Sequence, residues 1–168
     1  MTNSPLTGAL QNTSLHALLM IVSKGLSRAG FGDVSIQDRR QPRQKSRHGG
    51  HEIQCLTSVG SLPSKVVVKV IRDSVRVRML DELAGTVLRT GADLGLIISP
   101  FHLTRKAKSH LDSYRSARIS ALDGLALSEL LAKHGIGVRG TGSVDYEFFG
   151  GIEEVAEKLQ AFLKTKPL

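Results

Sequence analysis

The residues of this sequence that most suggest chemistry are clustered cations. Arg39, Arg40, Arg43, Lys45, Arg47 and His48 share one polar stretch between Arg39 and Gly50. Arg72, Arg76 and Arg78 form a second group, and Arg105, Lys106 and Lys108 a third. Guanidinium and ammonium groups suit phosphate oxygens, which supply affinity without reading base sequence. Any one group alone reads as a solvated surface. Together, on a chain with a formal charge of +8, they point to a polyanionic partner drawn in by long-range attraction and counterion release. DNA is the expected partner.

Other reactive residue types offer less. His16, His48, His51, His102, His110 and His134 lack metal-ligand spacing. Cys55 is the single cysteine, which excludes an intrachain disulfide and a cysteine zinc cluster. It lies in an apolar–polar alternation and is expected to pack rather than react. Gly140-Thr141-Gly142 has no phosphate-loop context and reads as a turn. Tyr146, Phe148 and Phe149 read as packing or contact residues rather than a base-stacking platform.

The elements that would position these groups belong to one domain of 168 residues, long enough to bury a core. With 4% aromatic residues and no Trp, that core must be Leu, Val, Ile and Ala. Ser14 caps a predicted helix through Leu15, Leu18, Leu19, Val22 and Leu26. Strands follow at Phe31–Asp38, His51–Ser58 and Lys65–Arg72, the last nearly continuous in β-branched residues and so expected to be covered on both faces. A helix over Val75–Thr90, a strand over Leu94–Ser99, a helix from Thr104, a strand over Arg118–Leu122 and a helix from Asp123 complete the pattern. The order predicts an α/β fold with a central mixed sheet of about five strands flanked by helices. Residues 1–13 are expected to be flexible and 14–140 to form the main domain. In 141–168 a loop and a helix over Ile152–Leu163 should pack on that domain. No apolar run approaches the roughly 18 residues of a membrane span, and a cytoplasmic setting is expected.

Three segments resemble the Mrr-type branch of the PD-(D/E)xK nucleases. Val75 to Gly85, ending Asp81-Glu82-Leu83-Ala84-Gly85, is similar to the helix after the family's catalytic strand. Gly91-Ala92-Asp93-Leu94-Gly95-Leu96-Ile97-Ile98-Ser99, then Phe101 and Thr104-Arg105-Lys106-Ala107, is similar to its next strand and helix. Ile119-Ser120-Ala121-Leu122-Asp123-Gly124, running on to Gly135-Ile136-Gly137-Val138, is similar to the last strand and helix. Upstream, Gly30-Phe31 before a strand adds to the likeness, which spans about Leu15 to Val138. The resemblance implies a restriction-endonuclease-like three-layer fold, with DNA lying where the Arg39–Gly50 loop enters the sheet.

It also implies a site. In the family an Asp on one strand and a Glu or Gln on the next hold Mg²⁺, and a Lys two residues further on serves the attacking water. Carried onto this chain, the Asp position falls at Gln54 and the Q/E-x-K triplet at Lys69-Val70-Ile71. An amide, an ammonium and an aliphatic group there imply a DNA-binding protein with a degenerate site, little or no cleavage and no cofactor. A displaced Mg²⁺-dependent endonuclease site of Glu52, Lys69 and either Asp33 or Asp38 is the alternative, since Glu52 shares the face of Gln54 and Lys69 that of Ile71. A plain cross-strand ion pair between Glu52 and Lys69 is the structural competitor. A homodimer, or an accessory subunit docking an acidic protein, completes the expected partners.

Overall fold

The run Val66-Val67-Val68-Lys69-Val70-Ile71 occupies the middle of the molecule, and the other elements assemble around it. The computed structural model describes residues 4–37, 51–59, 61–114 and 118–165. β3 (Leu62–Val70) pairs antiparallel with β2 (His51–Val59) on one side and parallel with β4 (Leu94–Ile98) on the other. β1 (Gly32–Gln37) extends the meander beyond β2, and β5 (Ile119–Leu122) extends the parallel half beyond β4. Spatial order therefore equals chain order, β1-β2-β3-β4-β5. The parallel half needs crossovers, and the helices α3 (Val77–Thr90) and α4 (Arg105–Leu111) provide them.

Alternation along β3 separates two cores. Val66, Val68 and Val70 face a layer made by α1 (Pro5–Gln11), α2 (Leu15–Arg28), α5 (Gly124–Lys133) and α6 (Tyr146–Thr165). Val67 and Ile71 face the opposite layer, where Met79, Leu80, Leu83 and Val87 of α3 and Ala107 of α4 are buried. Both faces are apolar, as the continuous run required. The helices begin where the sequence places caps: the side chains of Ser14, Thr104 and Asp123 accept hydrogen bonds from the backbone N–H groups of Ala17, Ala107 and Ala126. Gly91 ends α3 in the left-handed region at φ 63°.

Gly124 marks the tightest contact between layers. A Cβ there would collide with the backbone carbonyl of Pro100 and approach Thr7 Cγ2 at 2.9 Å. The missing side chain lets α5 start directly against the end of β4. Ser128 Oγ closes the junction by donating to the Gly124 carbonyl at 2.6 Å.

Two expectations are corrected. Within the stretch 1–13, expected to be flexible, Pro5–Gln11 instead forms α1, with Leu6, Thr7 and Leu10 buried against the α5 side. The final helix begins at Tyr146, not Ile152, and carries Gly150 and Gly151 in its interior. Burial of Phe149 and an N–H bond from Phe148 to Asp145 Oδ1 outweigh the low helix propensity of the glycine pair. Among the described residues no helix is long and apolar enough to cross a membrane.

Candidate active site

The β2–β3 register sets Glu52 opposite Lys69 and Gln54 opposite Val67. β1 continues both rows, with Gln37 opposite Glu52 and Ser35 opposite Gln54. Directly opposed residues share a face, and Val67 and Ile71 fix that face as the one beneath α3. A polar patch of Glu52, Gln54 and Lys69 therefore lies beside an apolar core, and Glu52 is itself buried.

A second carboxylate reaches the patch from the helix. The Lys69 ammonium lies 2.8 Å from Glu82 Oε2, and Arg78 Nε lies 3.6 Å from Glu82 Oε1. Gln54 Nε2 donates to Glu52 Oε1 at 3.2 Å. Lys69 thus has Glu52 as its neighbour across the ladder and Glu82 at its ammonium. The expected register is present, but the carboxylate bonded to Lys69 is Glu82, which the sequence pattern does not single out. Its spacing from Arg78 looks like an ordinary i, i+4 surface pair; only its place on the flank of the buried Met79–Leu83 stripe hints at the sheet.

The other sequence-derived residues sort by position. Ile71 is buried in the α3 core, where no solvent-bound group can use it. Asp33 cannot join the displaced site: its neighbour Gly32 pairs with Leu56, four positions along β2 from Glu52, or about 13 Å at ~3.3 Å per residue. Asp33 is exposed in a ladder irregularity at φ 49°. Asp38 lies outside the described residues, as do Arg39, Arg40, Arg43, Lys45 and Arg47.

Arg72, Arg76, Arg105 and Lys106 share one end of the sheet with this patch. Arg72 follows directly after β3 and donates to the Gln11 carbonyl at 3.0 Å. A parallel bridge between Val75 and Leu103, with Thr104 N–H on the Val75 carbonyl at 2.9 Å, holds the start of α3 beside the start of α4. Arg76, Arg105 and Lys106 are therefore neighbours in the fold, all exposed, near the carboxyl ends of β3 and β4. Open α/β sheets present ligand crevices at that end. Arg76 is partly engaged, its Nη2 lying 3.4 Å from Asp73 Oδ2.

Cys55 takes no part. Burial pushes its thiol up to about 11, which keeps it protonated and unreactive near neutrality. Among the described residues no three His, Cys, Asp or Glu side chains form a cage for a metal ion. The donor set is smaller, Glu82 at the Lys69 ammonium and Glu52 opposite Lys69 on the neighbouring strand. That set fits a cation which keeps several waters and borrows phosphate oxygens, as Mg²⁺ does, better than one needing a full protein cage.

An antiparallel meander leading into a parallel α/β half, with an acid–lysine patch on one face, defines a restriction-endonuclease-like domain. The chain belongs to the Mrr_cat restriction endonuclease family, whose model matches residues 10–131. Among solved structures, the DNA modification-dependent restriction endonuclease AspBHI superposes with a TM-score of 0.55 at 11% identity, over 96% of this chain and 41% of that one. The MspJI restriction endonuclease in complex with a 27-mer oligonucleotide gives a TM-score of 0.47 at 12% identity, over 85% of this chain and 31% of that one. This chain spans less than half the length of either. No curated protein matches.

Proposed function

We propose that this chain binds DNA in the cytoplasm and hydrolyses its phosphodiester backbone in a divalent-metal-dependent reaction, on a site formed by Glu52, Lys69 and Glu82. The observation that carries this reading is that Lys69 holds the Glu82 carboxylate of α3 at its ammonium and has Glu52 of β2 as its partner across the ladder. Placing the family's strand positions two residues earlier keeps every side chain on its face. Glu52 then stands at the acidic position and Lys69 at the lysine position, with the apolar Val67 where the second acid would be. Glu82 approaches from α3 and supplies that missing charge.

Glu52 and Glu82 would hold the cation, which when bound would stabilise charge on the scissile phosphate. Lys69, bonded to Glu82 and opposite Glu52, would orient a water or a phosphate oxygen. Arg72, Arg76, Arg105 and Lys106 would contact flanking phosphates and hold the duplex in register, as would Arg39, Arg40, Arg43, Lys45 and Arg47.

A second reading, DNA binding without cleavage, draws on Val67 and on Gln54, neither of which can replace a carboxylate. The test is conversion of supercoiled plasmid to open circles with Mg²⁺ or Mn²⁺, against an EDTA control. Cation-dependent nicking that disappears in Glu52→Gln and Lys69→Met supports the first reading. Salt-sensitive DNA binding with no nicking in either cation supports the second.

A further inference from the structure

We propose that the α3-side face of the β1–β2 ribbon reads base edges in the major groove of DNA, with Gln37 and Gln54 selecting adenine. This rests on the DNA-cleaving reading above and adds a sequence preference to it. The other face of the ribbon is closed, since Val34, Ile53 and Cys55 pack into the α2 layer. On the α3 side the core draws on β3, β4 and β5, and among the described residues neither β1 nor β2 contributes to it. What the ribbon presents there is Ser35, Gln37 and Gln54, a row of neutral polar groups that begins opposite Glu52. Ser35 is exposed, and both glutamines are half-buried.

Chemistry selects the occupant. A row without cations gains little from phosphates, yet it adjoins the place where the backbone would be cut. Two antiparallel strands about 4.8 Å apart form a ribbon that fits a major groove about 12 Å wide. Gln37 Nε2 donates to Ser35 Oγ at 3.0 Å, and Gln54 Nε2 donates to Glu52 Oε1 at 3.2 Å. These bonds orient each amide through one N–H and leave its second N–H and its carbonyl oxygen. That donor and acceptor match N7 and the N6 amino group of adenine. Gln37 lies one strand from Glu52 and Gln54 two residues from it, about 5 and about 7 Å. At ~3.4 Å per step, both fall within two base pairs of a phosphate held beside Glu52.

The test is selection of bound duplexes from a short library with a randomised centre, in Ca²⁺ in place of Mg²⁺, followed by sequencing. The wild type should enrich adenine at least about tenfold at one or two positions. Gln37 is the residue to vary, because Gln54 is bonded to Glu52. Gln37→Ala should lose the enrichment at one position while keeping its affinity for mixed-sequence duplex and the salt slope of that affinity. Gln37→Glu should turn the same position toward cytosine, because a carboxylate only accepts, here from the N4 amino group. Replacing the selected adenine by 7-deazaadenine, which lacks the major-groove acceptor, should cancel its advantage. Binding without base enrichment, enrichment unchanged in both Gln37 variants, or full preference for 7-deazaadenine would overturn the proposal and leave the cleavage reading standing. No DNA binding by the wild type would overturn both.

Discussion

Lys69 and Glu82 are thirteen residues apart in sequence, yet the ammonium of one lies 2.8 Å from the carboxylate of the other. The contact spans two elements, the central strand and the helix that follows it. It adds a second carboxylate to a row already holding Glu52, and it decides how the polar patch is read. If Glu82 is part of the site, Glu82→Gln should reduce nicking by roughly a hundredfold, the scale of removing one charge-stabilising group. Glu82→Asp should recover part of that activity. A structural partner alone would give equal loss of thermal stability in both variants, with nicking unchanged per folded molecule.

DNA affinity should fall steeply with salt. Each phosphate-binding cation contributes about 0.9 to the slope of log K against log salt. Arg76→Ala/Arg105→Ala should therefore flatten the slope by roughly two units without changing preference between sequences. Fluorescence anisotropy over a salt series measures it. A slope equal to that of the wild type would remove these two residues from the phosphate-binding surface.

Cys55 should resist thiol reagents. Its thiol is raised by desolvation from 9.0 to about 11, so at pH 8 the native chain should label far more slowly than the chain in denaturant. The sign for stability follows. The unfolded thiol ionises first, so Cys55 contributes stability that is fully present below pH 9 and is lost as the pH rises through about 11. Labelling at equal rates in the native and unfolded states would contradict burial of this residue.

Gly124→Ala should be among the most damaging single substitutions. The added methyl meets the Pro100 backbone carbonyl, which cannot swing aside as a side chain could. A loss of about 2–3 kcal/mol is expected, seen as a lowered midpoint in chemical denaturation. Gly140→Ala, where nothing lies within 4 Å, serves as the comparison and should be nearly silent.

The sheet is largely legible in the sequence because its strands are dense in β-branched and aliphatic residues: Val66 to Ile71 and Leu94 to Ile98 could hardly be anything but covered strands. Ser14, Thr104 and Asp123 announce their helices for the local reason that caps satisfy orphan N–H groups. What stays hidden depends on distant partners. α1 is only Pro5–Gln11, too short to be stable alone, and Leu6 and Leu10 justify it only once the rest of the core is in place. Gly150-Gly151 reads as a loop until Phe149 is given its burial site. Asp33 and Glu52 look equally available in sequence, and only the β1–β2 register separates them. Glu82 is invisible as a site residue because no local spacing ties a helix position to a strand lysine.

Whether Lys69 serves cleavage is decided by plasmid nicking in Mn²⁺, comparing the wild-type chain with Lys69→Met at matched folded concentration and matched DNA occupancy. The wild type should nick, and the variant should bind DNA equally well without nicking. Equal nicking by both proteins, or none by the wild type at saturating occupancy, would contradict an active site at Glu52, Lys69 and Glu82.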